Sequence, residues 1–263
     1  MPPIMTSLLR QVTAGRARKY KSFQEALADC HNLGYADADI ARQVVDRTNK
    51  LVSEKFKNHK LSESDMRIIL MALCASQDRT IRVLDFGGGA GYHYFLFKAW
   101  CHSTTKVDWL VIETAPMVEK SQEMGNPELI FTTQIPTNKD NCFDLVVVAS
   151  SLQYTSDPIA TLQQLIDLKS EFLCITRMPM LLHDDQIITI QTSTLSAHGP
   201  GNFEQAIQNR KVHTPITFLP KQKLIEALEY KYGSFQITQD AKSSFQFRGK
   251  EIPAFGIICR LIH

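Results

Sequence analysis

Two rhythms of apolar and polar positions run along this chain. Across residues 22–30 the apolar positions Phe23, Ala26 and Leu27 recur at helical spacing, and Ile40, Val44, Leu51 and Val52 do the same across 39–56. Ser62-Glu63-Ser64-Asp65 has the form of a capping box ahead of a third helix over 66–75. The rhythm then changes. Short runs rich in Val, Ile and Leu, at 81–86, 107–113, 129–133, 143–149 and 172–176, predict strands, and 143–149 is apolar enough to lie at the centre of a parallel sheet. Between them, helices are predicted over 92–102, from Pro116, and from Pro158 with Asp157 as its cap. This alternation predicts a parallel sheet with right-handed crossovers.

The ending departs from that alternation. A helix opens at Leu219-Pro220, carries Leu224, Ile225 and Leu228 on one face and stops near Gly233. Strands at 235–238 and 254–261 follow, joined by a polar turn with no helix between them, which predicts an antiparallel hairpin. The expected architecture is therefore α/β: a Rossmann-like, seven-stranded, mostly parallel sheet with a terminal antiparallel hairpin, preceded by an N-terminal helical cap. Its division is a helical extension over 1–78 and a main domain over 79–263, with an insertion at 178–218. That insertion is too long for a simple connection, holds an alternating strand-like piece at 186–192, and is expected to cover the acceptor side of a site.

Composition narrows the picture modestly. The 263 residues are 44% hydrophobic and 21% charged, as in an ordinary globular protein. A formal net charge of +2 gives no argument for a nucleic-acid or membrane partner. Six cysteines, Cys30, Cys74, Cys101, Cys142, Cys174 and Cys259, are scattered without a C-x-x-C pair. They imply reduced thiols, no structural zinc and a cytoplasmic protein. No acid precedes Phe23, whereas Arg10, Arg16, Arg18, Lys19 and Lys21 do. That resembles a transit peptide in composition, and we read it as a basic lead-in to the first helix.

The chemistry gathers at Arg82-Val83-Leu84-Asp85-Phe86-Gly87-Gly88-Gly89-Ala90-Gly91-Tyr92-His93. A buried strand, a turn of nearly side-chain-free residues and a helix form the nucleotide-binding corner of a doubly wound sheet. The dinucleotide spacing G-x-G-x-x-G fails, because Tyr92 or Ala90 falls where a glycine is required, and no Gly-Lys-Ser/Thr follows for a phosphate loop. The remaining pattern is D-x-G-x-G-x-G at Asp85, Gly87, Gly89 and Gly91. It resembles the first motif of class I S-adenosylmethionine (SAM)-dependent methyltransferases. Trp109 to Val118 and Phe143 to Pro158 resemble later motifs of the same family. Leu33-Gly34-Tyr35, Leu152-Gln153-Tyr154, Ile175-Thr176-Arg177-Met178-Pro179 and the Gln191 region resemble a narrower group of methyltransferase-like proteins, some from bacterial polysaccharide or natural-product settings.

The resemblance implies SAM as cofactor, S-adenosylhomocysteine as product, and methyl transfer to an O or N atom of a small molecule or biosynthetic intermediate. Asp85, Gly87, Gly88, Gly89 and Gly91 would hold the cofactor, with Glu113 and Thr114 after the second strand and Ser150, Ser151 and Gln153 after the fourth. Related enzymes often place an acid after the third strand near the adenine. Here Thr133-Gln134 stands instead, which leaves Gln134 for that contact. Candidate catalytic residues are His93, just past the glycine loop, His183 in the long connection, and Tyr154; Asp184, Asp185 and His198 are further polar groups there. Arg177 either holds an anionic acceptor or pairs with Asp184 or Asp185. No metal is implied, and the partner is a small-molecule acceptor, with a homo-oligomer allowed. Two alternatives stay open: a non-catalytic binding or accessory protein on the same fold, and a nicotinamide-dependent reductase.

Overall fold

The computed structural model describes residues 10–11, 18–30, 34–76, 80–101, 105–137, 142–183, 185–201, 210–229 and 231–261. Residues 1–9 and 12–17, which include Arg16 of the basic lead-in, and Leu33, His102, Asp184 and Asn202 lie outside the described residues.

After a two-residue strand β1 (Arg10–Gln11) come three helices, α1 (Phe23–Asp29), α2 (Ala38–Ser53) and α3 (Glu63–Ser76). Each begins at a side chain that satisfies an orphan helix N–H, as helix starts require. Ser22 Oγ accepts from Glu25 N, and Asp37 from Asp39 N. At α3 the expected capping box is complete. Ser62 Oγ accepts from Asp65 N at 3.1 Å while Asp65 Oδ2 accepts from both Ser62 N and Ser62 Oγ.

The main sheet then unfolds in alternation: β2 (Ile81–Phe86), α4 (Tyr92–Trp100), β3 (Val107–Ile112), α5 (Ala115–Ser121), β4 (Leu129–Thr132), β5 (Leu145–Ala149), α6 (Pro158–Asp167) and β6 (Phe172–Leu181). All five residues of β5 are buried, as its unbroken apolar run predicts. A hairpin follows, β7 (Ile187–Thr194) and β8 (Lys211–Pro220), and then α7 (Lys221–Glu229), β9 (Ser234–Phe247) and β10 (Lys250–Arg260).

From one edge the main sheet runs β4-β3-β2-β5-β6-β10-β9, and β1 closes the far side. Neighbours from β4 to β6 are parallel, while β10 is antiparallel to both β6 and β9. Numbering these seven strands in chain order gives 3-2-1-4-5-7-6, a Rossmann-like sheet with the expected terminal hairpin. Helices α3 and α4 cover one face, where Ile68, Met71, Phe97 and Trp109 share a core. Helices α6 and α7 cover the other, with Leu162, Leu165, Leu224, Leu228 and Tyr232.

Two features differ from the expectation. The terminal hairpin is far longer than 235–238 and 254–261, and its outer part packs Phe245, Phe247 and Ile252 against Ile187, Ile216 and Phe218. Nor is the insertion at 178–218 only a covering loop with one strand-like piece. It is a β-hairpin whose register runs Ile187↔Phe218 to Thr194↔Lys211. The second strand contains Pro215, which reads as a break in sequence. Proline is tolerated there because β6 pairs with β8 only at Leu219 and Pro220, so β8 is an edge strand at Pro215.

Candidate functional site

Parallel strands present their carboxyl ends, and the turns beyond them, to one crevice. At the end of β2 the chain turns left-handed at Gly87 (φ 72°), Gly89 (φ 60°) and Gly91 (φ 76°), a conformation that glycine adopts without a Cβ penalty. The loop is packed from below by named partners. A Cβ on Gly87 would overlap Ser151 Cβ, and one on Gly88 would overlap the Asp85 carboxylate. Ser151 Oγ in turn donates to the Phe86 carbonyl at 2.7 Å. The turn after β5 thus buttresses the turn after β2.

Asp85 is fully buried. Its Oδ2 lies 2.9 Å from His93 Nδ1 and accepts from Trp109 Nε1 at 3.3 Å. This is the setting of His93, one of the three expected catalytic residues. It is only 5% exposed and its Nδ1 engages the buried carboxylate. The helical spacing from the glycine loop turns this side chain inward, onto Asp85. His183 is exposed on the bend after β6. Tyr154 is half-buried, donates its hydroxyl to Gln191 Oε1 at 2.7 Å, and packs its ring 4.5 Å from that of Tyr35. The three expected catalytic residues therefore occupy three different places.

Glu113 stands just past β3. Its Oε1 accepts from Gly89 N at 3.0 Å and its Oε2 from Thr114 N at 2.9 Å. Burial pushes its carboxyl above the usual carboxylate range; the two N–H groups pull it back, and the charge of Asp85 adds to the rise. Past β5, Ser150 adopts a left-handed backbone (φ 57°) and its Oγ accepts from Gln153 Nε2 at 3.1 Å. Three buried polar atoms around the loop have no hydrogen-bond partner among the described residues: Asp85 Oδ1, Thr114 Oγ1 and Gln153 Oε1. Buried polar atoms are normally satisfied, so these three leave hydrogen-bonding capacity unused around the loop. Gln134, by contrast, is exposed beyond β4.

Sequence reasoning missed what lies over the loop. Val44 of α2 is 3.1 Å from where a Gly89 Cβ would stand, and Val44 Cα is 3.3 Å from that of Gly199. Arg47, one turn on, donates to the Ser196 carbonyl at 2.7 Å. One turn of α2 is therefore held between the glycine loop and the 196–199 segment of the insertion. His198 joins the same cluster, with Nε2 2.8 Å from Ser193 Oγ and its ring 5.3 Å from Tyr35. The signal was available in the helical stripe of α2 but did not say which loop the stripe would meet.

Also missed was Arg67 on α3. It donates to Thr176 Oγ1 (2.7 Å), Thr238 Oγ1 (3.0 Å) and Asp240 Oδ1 (2.8 Å), in an ion pair whose side chains are 12% and 5% exposed. Its guanidinium lies where a Cβ on Gly256 would be. A glycine inside the 254–261 strand pattern was the available clue, since such a glycine marks close approach by another group. Among the described residues no group of His, Cys, Asp or Glu is arranged to hold a metal ion, and no helix is long and apolar enough to cross a membrane.

No protein-family profile matches the chain, and no curated protein matches it in sequence. Solved structures do share its general shape. The N-terminal domain of EvdMO1, crystallised in the presence of SAH and D-fucose, is 11% identical, with 84% of this chain and 99% of that chain covered and a TM-score of 0.46. The sugar N-methyltransferase KedS8 from Streptoalloteichus sp. is 12% identical, covering 76% and 87%, at a TM-score of 0.47. The 1,6-didemethyltoxoflavin-N1-methyltransferase of Burkholderia thailandensis is 11% identical, covering 82% and 87%, at 0.45. Likeness at this level leaves the chemistry to be argued from the residues themselves.

Proposed function

We propose that the protein is a class I SAM-dependent methyltransferase that moves a methyl group to an O or N atom of a small molecule. One observation carries the reading: the D-x-G-x-G-x-G loop ends the first strand of a 3-2-1-4-5-7-6 sheet and faces Glu113 at the end of the second. In a dinucleotide fold the antiparallel seventh strand, inserted between the fifth and the sixth, would be out of place.

The residues fit the cofactor. Each Glu113 oxygen accepts one backbone N–H, and a carboxylate oxygen has a second lone pair for a ribose hydroxyl. The orphaned Asp85 Oδ1, Thr114 Oγ1 and Gln153 Oε1 suit a ligand rich in N–H and O–H groups. SAM, when bound, supplies an electrophilic methyl group. The chain's own part is to hold that group in line with the acceptor atom and keep water away, and alignment alone can contribute several kcal/mol. Glu113 and the glycine loop hold the cofactor in this reading, while α2 and the β7–β8 hairpin enclose the acceptor. Tyr154, with its hydroxyl on Gln191, lines the acceptor side. We place the protein in the cytoplasm, on the strength of its scattered thiols.

Calorimetry with S-adenosylhomocysteine, NAD and NADP tests the cofactor, and labelled SAM incubated with extract of the native cells tests the transfer. Binding of S-adenosylhomocysteine and transfer of label to a small molecule are expected. Tight NAD binding without S-adenosylhomocysteine binding overturns the reading.

A further inference from the structure

A parallel sheet is normally covered on both faces, and one corner of this sheet is not. Successive side chains of a strand point to opposite faces. In β4, Leu129 and Phe131 join the core that α3 and α4 cover, while Ile130 between them is 58% exposed. Its register partner on β3, Leu110, is half-buried on the same face. A crossover between parallel strands usually carries a helix, and the connection from β4 to β5 has none among its described residues. Strand β4 is also the edge of the sheet. A bare face therefore adjoins a bare edge, and an exposed edge is a template for association.

This corner is a groove of about 410 Å³ whose walls include Arg82, Asp108, Leu110, Ile130 and Phe143. Arg82 on β2 and Asp108 on β3 are register partners, and both are exposed. Among the described residues neither takes part in an ion pair. Glu128, the third charged group there, is engaged by Lys98 at 3.1 Å and by the Tyr94 hydroxyl at 3.0 Å. The groove thus offers one free cation beside one free anion, next to apolar side chains. Such a surface is complementary to a copy of itself, because a two-fold rotation sets each cation over the other copy's anion. A partner charged with one sign alone would face a like charge at one of the two positions, which is costly. The exposed stripe of Met66, Leu70 and Leu73 on α3 is apolar too, but nothing there selects an occupant. We propose that the protein forms a homodimer through this corner, with Arg82 of each copy against the partner's Asp108, and with Ile130 and Leu110 shielded from water. Arg82 precedes Gly87 by five residues, about 16 Å of strand. The dimer therefore leaves the carboxyl-end crevice open, and it does not depend on the methyltransferase reading.

Sedimentation velocity of the full chain over a range of concentrations, at fixed ionic strength, is the test. Wild type is expected to form a concentration-dependent dimer. Arg82→Glu and Asp108→Arg each put two like-charge pairs into the interface, and each should raise the dimer dissociation constant by about tenfold or more. An equimolar mixture of these two variants should associate nearly as strongly as wild type, because the mixed dimer restores opposite charges at both contacts. Mixing does not repair a misfolded chain, so this rescue separates an interface effect from a folding effect. Ile130→Ser should also weaken the dimer, while Leu70→Ser should leave it unchanged. The proposal is overturned by a wild type that stays monomeric at every concentration, or by a dimer that ignores both charge reversals. A mixture that fails to associate, or a dimer lost in Leu70→Ser alone, overturns it as well. Calorimetry with S-adenosylhomocysteine on the same samples keeps the two readings apart: no binding to a wild-type dimer would remove the methyltransferase reading and leave the dimer standing.

Discussion

The carboxylate of Glu113 takes the backbone N–H of Gly89 at 3.0 Å, tying the turn after β3 to the loop after β2. Two neighbouring strands thereby share one polar lock at the proposed cofactor site. Glu113→Ala should weaken S-adenosylhomocysteine binding by roughly 1–3 kcal/mol, the usual worth of hydrogen bonds to a charged group. Calorimetry reads this directly, and an unchanged affinity would remove Glu113 from the site.

The same lock makes a pH prediction. Burial raises the Glu113 carboxyl above its ordinary range, so the folded chain holds that proton more tightly than the unfolded one. Stability from this group is present below the unfolded carboxyl's pKa and is lost as pH rises through the folded value. Glu113→Gln cannot ionise. The melting-temperature difference between Glu113→Gln and wild type should therefore shift in favour of glutamine as pH rises from about 4 towards neutrality, the interval that starts at an ordinary Glu pKa. A difference that is flat with pH sinks the argument.

His93 gives a prediction of stability rather than of rate. Removing the His93 ring leaves Asp85 buried with only the Trp109 contact, and His93→Ala should cost about 1–3 kcal/mol of folding free energy. His93→Asn keeps an N–H near the position of Nδ1 and should recover much of that loss in chemical denaturation. Should the asparagine variant fold and bind S-adenosylhomocysteine normally yet transfer methyl groups about 100-fold more slowly, the size expected of a lost general base, His93 would be the base after all.

Gly89 tests the contact with α2. A Cβ there meets Val44 at 3.1 Å and adopts an unfavourable left-handed backbone. Gly89→Val should destabilise the chain by about 1–3 kcal/mol and abolish S-adenosylhomocysteine binding. Pairing it with Val44→Ala makes room only for the side chain, so thermal melts should show partial recovery of stability. Complete recovery would mean that the backbone is not strained.

The thiols should divide by burial. Burial pushes Cys30 up to about 11 and both Cys174 and Cys259 up to about 12. Only the thiolate reacts readily, so in the native protein the exposed Cys74 and Cys142 should react with a thiol reagent before these buried thiols, with all six thiols found after unfolding without reductant. Fewer than six at that stage would reveal disulfides.

How much of this was legible in the sequence depended on how local each cause is. Strand β2 and the start of α4 coincide with the runs read for them, because one apolar period and one glycine turn decide both. Asp157 and Ser62 announced helix starts through bonds spanning three residues. Strand β8 escaped because Pro215 interrupts its run, and its legality depends on a free sheet edge that no local pattern records. The Arg67–Asp240 pair spans 173 positions of chain, and the inward turn of His93 depends on which face of α4 meets the sheet. Around the loop, Asp85, Gly87, Glu113 and Ser151 could be named from motif order; the contact of Val44 with Gly89 could not.

The position of β10 has a consequence for synthesis. Its eleven residues, Lys250–Arg260, fill the slot between β6 and β9, yet they are the last of the described strands to leave the ribosome. Until they emerge, the edge of β6 is open and the Asp240 side of the Arg67 clamp has no strand to bring it near. A nascent chain can assemble β2 to β6 with their helices, but the sheet stays in two pieces. Translation that stalls before Lys250 should therefore leave a collapsed, sticky intermediate in need of a chaperone, rather than a smaller version of the folded protein.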